Sequence, residues 1–271
     1  MTTEKIRLSV IIPLEFHRGL AERCIAAWSR GQTYPRECYQ IVIVAPDTCS
    51  EKQLRAIRAA LHPADRLLVK PLHHDMPLVA AGAAEAEGAA FFFTEAHCLP
   101  EPDTLEQAAQ ILAERPDWAG FSGRSIPITH NLLSEIEAEM YDAHIRENLL
   151  NHSWLKVLDQ CLVLRREPYF SCGGLEPEYG HFAEWVIAAR LHHGGQVVGY
   201  DARAAIRHYY IGELHELEEF TEDFSGGEMR FHARHRHGPW SRLLPVPEEL
   251  TRAGSLCPEP APVMLRLLVR D

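Results

Sequence analysis

The chain is 271 residues long, 46% apolar, and carries a formal net charge of −11. That length buries a sizeable core in one large α/β domain, or a domain with a modest appendage, and the apolar share excludes wholesale disorder. The negative balance argues against a nucleic-acid groove, which needs clustered Lys and Arg, whereas an anionic substrate would call for a metal ion to neutralise it locally. Seven cysteines without a Cys-x-x-Cys pair suit free thiols in a reducing compartment. No stretch approaches the roughly 18 apolar residues of a membrane span, and Met1-Thr2-Thr3-Glu4-Lys5 lacks the apolar core of a signal peptide. The expectation is a cytoplasmic protein without a transmembrane segment.

Ser9-Val10-Ile11-Ile12-Pro13 is a β-branched run stopped by proline, a first buried strand. Residues 20–30 follow at helical spacing, then a turn at Gln32-Thr33-Tyr34-Pro35 and a second strand over 40–45. Ser50 caps a helix reaching about residue 61, and residues 66–70 form a third strand. An Ala-rich helix over 77–86 leads to a fourth strand, Ala89-Ala90-Phe91-Phe92-Phe93. This alternation is that of a doubly wound parallel sheet covered by helices. Further on come a helix over 104–114, a strand over 118–128 bent at Gly123, a long helix over 131–150 and a short strand over 161–164. A tight turn at Cys172-Gly173-Gly174-Leu175 precedes a helix over 182–193, and two strands, 197–200 and 204–208, end the regular core. A charged helix over 213–236 carries Leu214, Leu217, Phe220, Phe224 and Phe231, which suit packing on the core or, in a second reading, a lid resting on a membrane surface. Pro245-Val246-Pro247 is linker-like, and 263–269 is a last strand or a loosely docked tail.

The fourth strand breaks directly into Glu95-Ala96-His97-Cys98. In an extended segment residues two apart project to the same side, so Glu95 and His97 can converge at the carboxyl end of a strand, where open α/β sheets bind ligands. An acid and a neutral imidazole can hold a divalent cation, Mn²⁺ more comfortably than Mg²⁺. The pairs His73-His74 and His192-His193, and the set His232, His235 and His237, lack a zinc-like partner pattern and suit solvated faces.

Several segments together resemble the family-2 glycosyltransferases of the GT-A fold. They are the opening strand with Pro13, Gln32-Thr33-Tyr34-Pro35, Glu95-Ala96-His97 followed by Pro102-Asp103 and Leu105, and Gly173-Gly174-Leu175 through Tyr179-Gly180 to Ala183-Glu184. The resemblance covers about residues 8–210 and implies a Rossmann-like, mostly parallel sheet flanked by helices with a C-terminal helical extension. It divides residues 1–210 into a nucleotide-sugar-binding half, 1–103, and an acceptor half, 104–210, with 211–271 as extension and tail. It implies an inverting, metal-dependent transfer from a nucleotide-diphosphate sugar, UDP-linked by preference, to an acceptor hydroxyl on a saccharide, a lipid-linked molecule or a small molecule. On this resemblance Asp47 contacts the nucleobase or ribose, and Pro13, Leu14 and Glu15 line the same pocket. Glu95 and His97 take the Asp-x-Asp places, His208 falls where a further histidine ligand is common, and Gly174 lies in the substrate loop. Glu184 falls on the general-base position, with Trp185 beside it to shield the acid or stack on a sugar.

The sequence also departs from that pattern. Asp-x-Asp has become Glu-x-His, a softer donor set; Ala183 replaces the first acid of the pair before the base; Val79 and Ala80 stand where an Arg and an Asn are usual. The alternative is therefore a catalytically degenerate binding or scaffold protein on the same fold. A nucleotidyltransferase is disfavoured, because residues 14–19 contain one basic residue, Arg18, and no Gly-rich phosphate loop.

Overall fold

In the computed structural model, residues 7–15, 18–151, 154, 159–235 and 239–244 are described. Their elements run β1 (Leu8–Pro13), α1 (Ala21–Arg30), β2 (Tyr39–Pro46), α2 (Glu51–Ala60), β3 (Arg66–Lys70), α3 (Asp75–Glu85), β4 (Ala90–Phe93) and β5 (Cys98–Pro100). Then come α4 (Thr104–Glu114), β6 (Trp118–Ile128), α5 (Leu132–Asn151), β7 (Leu162–Arg165), α6 (Arg166–Ser171), α7 (Ala183–His193), β8 (Val197–Tyr209) and α8 (Leu214–His235). The strands form one sheet in the order β3-β2-β1-β4-β7-β6-β8-β5. The first four are parallel, β7 enters antiparallel to β4 and β6, β6 and β8 are parallel, and β5 closes antiparallel to β8.

The β-branched and aromatic runs become central strands because both of their faces are covered. Val10, Ile12, Ile41, Ile43 and Phe92 join one core with Cys24, Ile25 and Trp28 of α1, Leu54 and Ile57 of α2, and Leu105 and Ile111 of α4. Ile11, Val42, Val44, Phe91 and Phe93 face the opposite way, onto Met76, Leu78 and Val79 of α3, Val186 and Ile187 of α7, and Phe231 of α8. The period-two alternation along each strand thus feeds two apolar layers. Ser50 does cap α2, accepting from the Gln53 N–H while Gln53 reaches back to the Ser50 N–H.

Three expectations are corrected, and two elements, β5 and α6, are added. The segment after β4 is not extended: the Cys98 N–H bonds the Glu95 carbonyl at 3.1 Å, closing a turn from β4 into the unforeseen short strand β5. The two strands expected over 197–208 are one strand. Its polar middle, Asp201 to Arg203, pairs internally and with Glu114, while β8 slips register against β6 at Ser122/Arg124. The helix α6 was missed because it has six residues and includes Pro168. His232 is not solvated but buried against Phe182, Phe231 and Glu228. His237, Pro245-Val246-Pro247 and residues 263–269 lie outside the described residues.

The apolar stripe of α8 faces the protein. Phe231 is fully buried beside Tyr179 and Phe182, and Phe224 packs on Phe182 and Trp185, leaving Leu214 as the exposed member. Gly227 makes this approach possible, since a Cβ there would stand 1.7 Å from the Tyr179 carbonyl oxygen, whereas one at Gly226 meets the flexible end of Arg230 at 3.2 Å. Neighbouring substitutions should therefore have opposite signs. Gly227→Ala is expected to lower stability by about 2–3 kcal/mol through overpacking, and Gly226→Ala to raise it by up to about 1 kcal/mol through helix propensity, both read from denaturant melts.

Candidate active site

The carboxyl ends of β1, β2 and β4 lie along one edge of the sheet, and the turn after β4 folds over that edge towards β8. Antiparallel pairing sets Cys98 directly opposite His208, so the last residues of β8 reach the same point as Glu95 and His97. The carbonyl of Cys98 is fixed from α1, where the Trp28 indole N–H donates to it at 3.2 Å and the Cys24 thiol at 2.6 Å.

Three donor atoms meet there. His97 Nε2 is 3.0 Å from His208 Nε2 and 3.2 Å from Glu95 Oε2, and His208 Nε2 is 3.3 Å from the same oxygen. Ligands bound about 2.0–2.2 Å from one ion stand about 2.8–3.6 Å apart at octahedral or tetrahedral angles, so this triangle has the edge lengths of a coordination face. Both histidines are buried. Burial pushes the His97 imidazole down to about 4 against the pull of Glu95, so it is neutral near pH 7 and offers a lone pair. Burial alone would raise the Glu95 carboxyl, but the two imidazoles beside it hold it well below the usual carboxylate range. Neither His97 Nδ1 nor His208 Nδ1 has a hydrogen-bond partner among the described residues, so packing sets the rings, His208 against Tyr210 with centroids 4.4 Å apart. One carboxylate and two imidazoles fit a divalent cation.

Sequence reasoning had passed over several neighbours of this triad. The Cys98 thiol lies 3.5 Å from Glu95 Oε2. Arg18, at a positive φ of 47°, pairs with Glu216 of α8 at 2.9 Å, donates to the Tyr209 carbonyl and acts electrostatically on His97. Glu137 of α5 accepts from the Ile211 N–H at 2.5 Å beside His208, and burial raises its carboxyl. A second polar cluster forms at Glu15. His181 Nδ1 lies 2.8 Å from Asp223 Oδ2, whose oxygen also accepts from the His181 N–H, while His181 Nε2 stands 3.7 Å from Asp75 Oδ2. Burial raises the Glu15 carboxyl despite His74 and His181 nearby. The available signal for Cys98 was its place in the same turn as His97; His181 and Asp223 are 42 positions apart and gave none.

The other expected site residues fall as follows. Asp47 is exposed at the end of β2, its N–H donating to the Lys70 carbonyl. Pro13 and Leu14 are buried, and Leu14 sends its side chain into the α1-side core and its N–H to Val44. Gly174, at φ +69°, is a tight turn pressed onto the Tyr169 ring. Glu184 is half-buried in the first turn of α7 and lies outside the Glu95–His97–His208 cluster. Trp185 is half-buried, stacked on Phe182 and edge-on to Phe224.

The His97 shift carries a pH dependence. When unfolded, an ordinary histidine takes up its proton near 6.5; in the fold His97 waits until about 4. Between these values the unfolded chain binds more protons, so stability falls as pH drops through that window. Chelator-treated protein should melt at steadily lower temperature from about pH 6.5 to 4, and His97→Asn should flatten that slope; equal slopes would refute the assignment.

No family model and no curated protein matches the sequence. Solved structures do match in fold. The mannosyltransferase PcManGT from Pyrobaculum calidifontis, in complex with GDP-Man and Mn²⁺, superposes with a TM-score of 0.67 at 18% identity, over 92% of this chain and 68% of that one. Residues 1–349 of S. aureus TarS in complex with UDP-GlcNAc give a TM-score of 0.60 at 12% identity, over 91% of this chain and 78% of that one. The chain shares the GT-A fold of these glycosyltransferases, an α/β sheet flanked by helices.

Proposed function

We propose that this chain is a metal-dependent glycosyltransferase that moves a sugar from a nucleotide-diphosphate donor to an acceptor hydroxyl, inverting the anomeric centre. The observation that carries this is the Glu95–His97–His208 triangle, with 3.0–3.3 Å edges, at the carboxyl edge of a GT-A sheet. Glu95, His97 and His208 hold a divalent cation, Mn²⁺ or Mg²⁺, which when bound neutralises the diphosphate of the leaving group. Asp47 and the segment Pro13-Leu14-Glu15 take the nucleoside, with Leu14 contributing only backbone. Glu184 accepts the proton of the acceptor hydroxyl as the new bond forms. Direct displacement from the face opposite the diphosphate needs no covalent enzyme intermediate. The donor is a UDP-sugar in the sequence reading, and GDP-linked sugars are the competing class, since the superposed structures contain either nucleotide. The apolar stripe of α8 is occupied by packing, which favours a wall of the site over a membrane-resting lid.

One observation favours a second reading. Ala183 is fully buried where the resemblance expects an acid, and a fold that keeps nucleotide binding while losing proton transfer would serve as a scaffold.

Thermal shift against a panel of UDP- and GDP-sugars, with and without Mn²⁺, tests both readings. Wild type should be stabilised by one donor class in a Mn²⁺-dependent way, and His97→Ala should lose that dependence. Glu184→Gln should keep the shift and lower transfer or donor hydrolysis by about 10²–10⁴-fold. A Mn²⁺-dependent shift without turnover in wild type supports the scaffold. No shift with any donor removes the nucleotide-sugar reading.

A further inference from the structure

We infer that Cys98 is a fourth donor of the cluster. The site then takes an ion of the zinc–cobalt class through the Glu95 carboxylate, His97 Nε2, His208 Nε2 and the Cys98 thiolate, four-coordinate without donor and five-coordinate when a diphosphate oxygen adds. The inference rests on the reading of this cluster as a cation site and adds the ligand that decides which cation it prefers. Four observations support it. The ligand atoms of Glu95, His97, Cys98 and His208 all lie within 4.8 Å of one another. Cys98 Sγ is 3.5 Å from Glu95 Oε2, close to the separation of sulfur and oxygen ligands on one tetrahedral ion with bonds of about 2.3 and 2.0 Å. Cys98 and His208 are directly paired across β5 and β8, so their side chains leave the sheet on one face. Trp28 and Cys24 hold the Cys98 backbone through its carbonyl, which fixes the Cα from which the thiol projects.

The chemistry follows from the donors. Without metal the buried thiol keeps its proton and directs it at the Glu95 carboxylate. On binding, the S–H bond breaks, the proton leaves to solvent and a sulfur–metal bond forms, with no change of oxidation state. Thiolate and imidazole are softer than the oxygens that Mg²⁺ and Mn²⁺ favour, and affinity in such a set rises towards Co²⁺ and Zn²⁺. A carboxylate-only motif would show a weaker preference.

The test uses the full chain, stripped with a chelator, kept reduced with a phosphine and titrated with Co²⁺. The expected spectrum has a near-ultraviolet thiolate-to-cobalt charge-transfer band and intense visible bands of a four-coordinate ion, both displaced by Zn²⁺. Cys98→Ser should lose the near-ultraviolet band and bind Zn²⁺ at least about 10-fold more weakly, while Cys172→Ser should keep both. Zinc-edge X-ray absorption on wild type gives the same answer without a variant: one sulfur at about 2.3 Å and nitrogen or oxygen at about 2.0 Å. Binding of Co²⁺ that depends on His97 but shows no sulfur ligand overturns the role of Cys98 and leaves the cation site intact. Failure to bind Co²⁺ at all, or binding that survives His97→Ala, overturns the inference together with the cation site of the proposed function.

Discussion

The mouth of the sheet depends on one register, Cys98 of β5 opposite His208 of β8. His97 and His208 are 111 positions apart in the chain, yet this pairing brings their ring nitrogens to 3.0 Å. Three residues make a weak strand, so other bonds pin the pairing. Thr104 Oγ1 donates to the Ala205 carbonyl at 2.6 Å, the Glu101 N–H to the same carbonyl at 3.3 Å, and Arg207 reaches Glu101 at 2.6 Å. A slip of one residue would turn His208 to the opposite face and dissolve the cluster.

Behind that register stands α1. Trp28 packs on Phe92 with ring centroids 4.9 Å apart and at the same time bonds the Cys98 carbonyl. One side chain therefore ties β4, the turn that follows it and the helix into a single packed unit. A close-packed interior transmits little slack, and this is how a turn of a few residues can hold Glu95 and His97 against His208 of β8. The rings of His97 and His208 lack Nδ1 partners among the described residues, so packing and not an Nδ1 hydrogen bond orients them.

The helix α8 reaches the loop after β1 and the segment before α7. Glu216 and Asp223, seven positions apart and so about two turns along one face, reach Arg18 and His181 respectively. Both contacts are on the carboxyl-edge side of β1, where Arg18 and Glu15 follow the strand. The Arg18–Glu216 pair is largely shielded, with 15% and 13% side-chain exposure, and it places a fixed positive charge beside a buried carboxylate in a protein of net charge −11. Ion pairs removed from water keep more of their strength than exposed ones and cost more to break, so this contact anchors the loop after β1.

The sequence by itself determined the alternation of the first four strands and their helices, the Ser50 cap and the apolar stripe of α8. Periodicity and capping are local, and in each case tertiary packing agreed with them. It also named Glu95, His97 and His208, which the fold brings within 3.0–3.3 Å of one another, because a short motif and a family resemblance both act on the linear chain. Only the tertiary structure decided that β5 exists, that 197–209 is one bulged strand, and that His232 is buried, since pairing partners and covering layers are not written in local spacing. It alone set His208 against Cys98 and His97 and brought Asp75, His181 and Asp223 together near Glu15. Those groups come from segments far apart in the chain, and what unites them is the register of the strands and the close approach of α8 at Gly227.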